Sequence, residues 1–503
     1  MKGIFRSAAI VSLSIFASRL LGLVRDVVIA STFGAGTLTD VFFVAFRAPN
    51  LLRRIFAEGA FSSAFVPAFT KKLQSSFEKA VRFAGQFFTV LTALLLITVL
   101  LGEIFAPQII KLLAPGFKGD SFALAVKLLR ELFPYIFLVS LVAFFGGILN
   151  SLNHFFAPAF STALFNLAVI VSALTLSGKL SIESLAVGVV AGGVLQVLLQ
   201  LVFLKKLGFP LRPVFSVSKE VLRVLKNTIP GVFGFAVRQL SMLIDTVIAS
   251  FLSAGTISYL YYANRFVQLP LGMFAIGLSQ VLLPRFSRRG KGGLVKELLD
   301  GITLCSAVVV PSAVGLIFFG KPILDAVFNH GKFTEADLLA TYFVLIGYSV
   351  GLLFFSLEKI ITNAFYSMEE FKLPVIVSAA TLIFNLVVDL ILCFPLGLGA
   401  PGLALGTSLT SLLNLYLLTL FLSRRLGAPL FKPLLSKSLK YLLYSLPVAL
   451  IACSGSELYF SLSTFPLKLL VLLGVISASG AVYFFTLYLL KDEVYLGLLR
   501  KEV

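Results

Sequence analysis

The sequence predicts an all-α polytopic membrane protein of about fourteen transmembrane helices. They form two six-helix lobes, related as a parallel repeat, plus two extra C-terminal helices. Three observations carry this prediction. Hydrophobic residues make up 58% of the 503-residue chain and charged residues only 13%, against about 25% charged in soluble chains; mean hydropathy is +1.01. Basic residues gather in every second connection between apolar runs. A stretch near the start recurs 219 residues later.

A spanning helix needs about 20 apolar residues. Segments of that kind begin near residues 8, 38, 82, 126, 156, 183, 227, 256, 298, 336, 372, 400, 438 and 465. The first is interrupted by Arg19, Arg25 and Asp26 and closes on no small-residue cleavage site, so it reads as a spanning helix rather than a removable leader. The second, Asp40 to Phe69, holds Pro49, Arg53 and Arg54 and is expected to bend or break. Four more segments complete the first lobe, residues 1–206. Residues 207–226 form a cytoplasmic linker; its SVSKEVLRVLKN stretch reads either as a basic loop or as a short helix on the inner membrane surface. The second lobe covers 227–426, and the last two helices with a cytoplasmic tail cover 427–503.

The connections set the orientation. Even-numbered ones carry Lys71, Lys72, Lys79 and Arg82, then Lys205, Lys206 and Arg212, then Arg285, Arg288 and Arg289, then Arg424 and Arg425. Odd-numbered ones, such as Gly34 to Thr37 and Ser253 to Thr256, are short and poor in charge. Positive loops stay inside, so both termini are expected in the cytoplasm. The same rule explains the net charge of +19 as a topology signal, without nucleic acid.

The repeat aligns FASRLLGLVRDVVIASTFGAGT, from Phe16, with FAVRQLSMLIDTVIASFLSAGT, from Phe235, at 12 identities in 22 positions. Arg19 pairs with Arg238, Asp26 with Asp245, and Asn166 with Asn385. An even helix number per copy places the pseudo-twofold axis along the membrane normal and predicts alternating access around a central cavity.

Charges inside apolar helices cost roughly 2.5–3.5 kcal/mol near the bilayer centre, so they mark wet cavities or paired positions. Arg19, Arg25, Arg53 and Arg265 are the candidate cavity cations, with Arg47 and Arg54 as weaker members. They either line the cavity or snorkel and pair with Asp26, Asp40 and Glu58. A guanidinium fork matches phosphate oxygens, which points to a phosphate-bearing substrate. Asp245, Asn385, Asp389 and Thr407 offer hard oxygen ligands and form a candidate Na⁺ or H⁺ coupling site; the other reading is an interhelical hydrogen-bond network. Cys305, Cys393 and Cys453 lie far apart and read as small core residues, and His154 and His330 lack a metal or catalytic cluster. No nucleophile with a base and no phosphate-binding loop appears, so no enzyme and no cofactor beyond a coupling ion is expected.

The stretch Ser18 to Gly22, Arg25-Asp26, Phe33 to Gly36, Thr39-Asp40, Pro49 to Pro67 and Tyr262 to Arg265 resembles the signature of the MurJ (MviN) lipid II flippase family, in the multidrug/oligosaccharidyl-lipid/polysaccharide exporter superfamily. The resemblance covers the whole chain. It implies a role in peptidoglycan synthesis: moving undecaprenyl-diphosphate-linked disaccharide-pentapeptide from the inner to the outer leaflet. It also implies Arg19, Arg25, Arg53 and Arg265 as substrate-binding cations, Asp26 and Asp40 as their acidic partners, and an apolar groove for the lipid tail in the last two helices.

Three competing readings stand beside it. A flippase for another polyprenyl-diphosphate glycan would need the same cations. A cation-coupled multidrug exporter would favour an acidic or aromatic cavity, against the arginines. A scaffold for cell-wall synthesis proteins would tolerate Arg→Ala changes in the cavity.

Overall fold

The computed structural model describes residues 2–57, 60–288 and 291–499, with the side chains of 2–13, 15, 52–63, 227–239, 289–292 and 498–499 left outside the description. Among the described residues every regular element is a helix. The chain divides into two compact units: residues 1–255 with 331–333, and residues 256–330 with 334–503.

The first unit runs α1 (Lys2–Phe33), α2 (Thr37–Ala57), α3 (Ala60–Ser75), α4 (Phe77–Ile104), α5 (Ala106–Leu113), α6 (Gly119–Leu132), α7 (Pro134–Ser151), α8 (Phe156–Leu180), α9 (Glu183–Lys206) and α10 (Lys219–Ala249). Residues 58–59, between α2 and α3, lie outside the described residues, and the bend or break expected of the second segment falls there. α1 and α9 both pack on α8. Gly188 and Gly192 let α9 approach α8 at Val169 and Phe165, where any Cβ would meet the facing residue at 2.9 Å. One end of the unit is filled by rings: Phe65 lies 5.0 Å from Phe87 and 5.1 Å from Phe144, and Phe209 closes on Phe69 and Phe77. Phe209 opens the linker, which crosses α4 as extended chain. The Val214 N–H donates to Gly85 O and to Thr89 Oγ1, and Gln86 Nε2 donates to Ser216 Oγ. Residues 219–226 form the first turns of α10, capped by Ser218. The repeat counts α10 with the second copy; its packing on α3 puts it in the first unit.

Residues 331–333 join the first unit through a main-chain bond. The Lys332 N–H donates to Ser31 O at 2.8 Å. Gly34 (φ +74°) and Gly331 (φ +64°) flank this bond, and a Cβ on either would strike the opposite backbone. Both the left-handed φ and the close approach require glycine.

The second unit runs α11 (Thr256–Pro270), a π-helical turn (Leu271–Ile276), α12 (Gly277–Ser287), α13 (Lys291–Phe328), α14 (Glu335–Ser367), α15 (Lys372–Cys393), α16 (Gly399–Leu426), α17 (Phe431–Tyr444), α18 (Leu446–Ser461), α19 (Phe465–Leu489) and α20 (Glu493–Leu499). Small residues set its main seam: Gly347 and Gly351 of α14 lie against Ala404 and Ser408 of α16, and Ser408 Oγ donates to Gly347 O. α17 to α19 pack on α13. Tyr483 OH donates to Ala307 O at 2.6 Å, beside Val310, Val314, Tyr441 and Val448. Each end of this attachment is polar. Asp325 accepts from Tyr459 OH (2.8 Å), from Asn329 Nδ2 (2.7 Å) and from Lys468 Nζ (3.5 Å). Asp492 accepts from Tyr441 OH and pairs with Lys440.

Among the described residues ten helical runs are long and apolar enough to cross a membrane, or eleven with the pair α17–α18, bent by 41°, taken as one span. They coincide with eleven of the expected segments. The remaining three, in α1, α2–α3 and α10, carry the intramembrane charges or lie partly outside the described side chains.

Candidate functional site

In the first unit Arg25 and Asp26 meet Asn166 at the contact of α1 with α8. Ser18, Gly22 and Arg25 recur at helical spacing and share a face. Arg25 donates through Nε (3.1 Å) and Nη2 (2.8 Å) to Asp26 Oδ1, and through Nη1 to Asn166 Oδ1 (3.0 Å). Asn166 Nδ2 in turn donates to Ser18 O at 3.1 Å. Asp26 is buried and Arg25 nearly so, with side-chain exposures of 1% and 14%. The guanidinium is therefore oriented by an acid and an amide from two helices. Arg19, six residues earlier, is exposed.

Asp40 stands in the first turn of α2. It is buried and its Oδ2 accepts the Gly255 N–H at 2.7 Å. Arg47 donates to Met242 O of α10 at 2.8 Å. Arg53 lies in α2, but its side chain, like those of Arg54 and Glu58, falls outside the described residues. Asp245, on α10, is half-buried.

In the second unit Arg265 lies over the Tyr261 ring, 4.5 Å from its centroid, and its Nη2 donates to the Tyr261 hydroxyl. Asn385 and Asp389, one turn apart on α15, have no solvent exposure. Asp389 rests on Gly406 of α16, where even a methyl group would collide with the carboxylate. Thr407 is next to that glycine and donates to Leu403 O. Among the described residues no three His, Cys, Asp or Glu side chains gather as a metal site. Cys305 and Cys393 are buried and Cys453 is exposed. His154 stacks on Phe203 at 4.5 Å in the loop between α7 and α8, and burial pushes its imidazole below the ordinary value. His330 lies against Phe465.

Asn166 is a site residue that sequence reasoning did not single out. Its signal was its place in the repeat, opposite Asn385.

The sequence profile described as "Lipid II flippase MurJ" matches residues 29–475. The chain belongs to the MurJ lipid II flippase family. A MurJ relative from Buchnera aphidicola subsp. Acyrthosiphon pisum, named a probable lipid II flippase, is 40% identical over 425 residues, 82% of this chain and 83% of its own. A solved structure of lipid II flippase MurJ in an inward closed conformation superposes with a TM-score of 0.77 at 31% identity, covering 95% of this chain and 99% of that one. An inward-facing multidrug-resistance MATE transporter of the MOP superfamily, 16% identical, has a TM-score of 0.67 over 82% of this chain and 94% of its own, a likeness of fold alone. MurJ is a family of flippases, not of enzymes.

Proposed function

We propose that this chain moves lipid II from the inner to the outer leaflet of the bacterial inner membrane. The observation that carries the reading is the oriented guanidinium of Arg25, held by Asp26 and Asn166 inside a packed helix pair. Burying such a group in a lipid-facing protein is costly without a function, and a diphosphate is the ligand its fork fits. Arg19, Arg53 and Arg265 complete the cationic set, with Asp26 and Asp40 keeping it from binding too tightly for release. Access alternates as the two six-helix lobes rearrange, within fourteen spans whose termini both lie in the cytoplasm. α17 to α19 hold the lipid tail, and cell-wall synthesis proteins are the natural neighbours.

We further propose coupling to Na⁺ or H⁺ through Asp245, Asn385, Asp389 and Thr407, a reading that a comparison of the two copies supports. In the first copy Arg25 brings its own cation to Asp26 and Asn166. The repeat mate of Arg25 is Ile244, and the mate of Asp389 is Ile170. The second copy thus drops the built-in cation and gains an acid, which favours an exchangeable cation there.

The test is the leaflet distribution of lipid II in cells depleted of their only copy, read by an external enzyme that cleaves outward-facing lipid II. Wild type should restore the cleavable fraction. Arg25→Ala and Arg265→Ala should leave it at least tenfold lower, and Arg25→Lys should fall between, since it keeps the charge but loses the fork. Full restoration by both alanine variants would sink the cationic-cavity reading. A cleavable fraction unaffected by depletion would pass the substrate to another polyprenyl-diphosphate glycan.

A further inference from the structure

A further carboxylate stands inside the bilayer-length helices, outside the set of charged residues described above. Glu358 stands on α14, nine residues before its end at Ser367, about 13 Å along the axis. It is half-buried. Two residues of α16 face it. Ser411 Oγ donates to Glu358 Oε2 at 3.1 Å, and the Asn414 side chain bonds the same carboxylate. Both are nearly sealed, with 5% and 6% exposure. They lie three residues apart, hence on one face of α16. That face also carries Ser408, which packs on Gly351 of α14, so the close seam between the helices opens directly into this polar contact. Lys359, exposed and adjacent in sequence, is the one charged side chain acting on Glu358 among the described residues. α16 offers none between Gly399 and Ser423.

The decisive detail is Asn414. Its Oδ1 is buried and meets no donor, an arrangement that costs free energy in a protein interior. An amide can present either end to a carboxyl group, and which end faces it is fixed by the network around it. Facing a carboxylate, Asn414 gives Nδ2–H and leaves its oxygen without a donor. Facing a carboxylic acid, it can turn and accept the acid O–H at Oδ1. We infer that Glu358, with Ser411 and Asn414, is a reversible proton-binding site in the second unit. The step is Glu358–COO⁻ + H⁺ → Glu358–COOH. The proton comes from water at the open edge of the side chain, and the new O–H donates to Asn414 Oδ1. Three oxygen-bearing side chains, one of them a hydroxyl already spent as a donor, are few for a metal cation and sufficient for a proton.

The experiment is infrared difference spectroscopy of the full-length protein in lipid nanodiscs, stepped between alkaline and acid buffers. Wild type should gain a protonated-carboxyl band that is absent from Glu358→Gln. If the band persists unchanged in Glu358→Gln, or is lost in Asp389→Asn instead, the inference is overturned. Ser411→Ala keeps the carboxyl and removes a donor to its charged form, so it should keep the band and move its midpoint to more alkaline pH. This variant decides the matter even if Glu358→Gln fails to fold, because an unmoved midpoint would also overturn the assignment. Titrations in sodium and in choline salts should coincide; a midpoint depressed by sodium would assign the site to a metal cation. None of these readouts depends on the transported substrate.

Discussion

At the residue scale, the polar side chains inside this protein are held in small, specific sets. Arg25 engages an acid next to it and an amide 141 positions away. Asp40 is spent on a main-chain N–H. His154 is the reverse case: stacked on Phe203, it is favoured as neutral imidazole because burial opposes its charged form. Its folded value lies below the ordinary 6.5. The unfolded chain therefore takes up the proton first as pH falls, and stability is lost from about that value downward. Melting temperature measured from neutral to acid pH should fall, and His154→Gln should remove the part of the fall due to this loop. An identical acid decrement in the variant would mean that other groups set it.

At the element scale, glycine and serine decide how closely helices pack. Gly351 faces Ser408 with no room for a side chain, so Gly351→Leu should force α14 from α16 and cost about 1–3 kcal/mol by overpacking. Thermal unfolding of the purified protein checks this, and Gly315→Leu, at a glycine with open space around it, is the control. Much at this scale was legible in the sequence. Long apolar runs between charged connections located most helices. What was not legible came from tertiary contact. Asn166 reads as one polar residue in an apolar run until α1 brings Arg25 to it. Glu358, beside Lys359, reads as an ordinary charged helix face until α16 closes over it. The bend between α17 and α18 had Pro447, at the first turn of α18, as its one mark in the sequence.

At the scale of the whole molecule, the helices outside the repeat are attached to the second unit rather than merely appended. Asp325 and Asp492 fasten opposite ends of the α18–α19 pair, and the Tyr483 hydroxyl ties its middle to α13. Hydrogen bonds to a charged group are each worth about 1.5–3 kcal/mol, enough to hold a sparsely buried helix such as α19 in place. Hydrogen exchange in nanodiscs tests the two ends separately. Asp325→Ala should speed exchange around residues 458–468 and spare 490–496; Asp492→Ala should do the opposite. Equal and unchanged exchange in both would show that apolar packing alone holds the pair. The sequence could not foresee this attachment, because Asp325 and Tyr459 lie 134 residues apart and neither belongs to a recognisable motif.

The strap at 331–333 has a consequence for how this chain can vary. Its bond runs from the Lys332 N–H to the Ser31 carbonyl, so the identity of either side chain is invisible to it. Exchanging Lys332 or Ser31 for almost any other residue leaves the donor and acceptor where they were. The constraint on this bond falls instead on the two silent neighbours, Gly34 and Gly331, where one added carbon would push the backbones apart. In a saturation library the bond would therefore appear as two intolerant glycines beside the permissive positions Ser31 and Lys332, a pattern easily mistaken for a flexible loop when it records a fixed one.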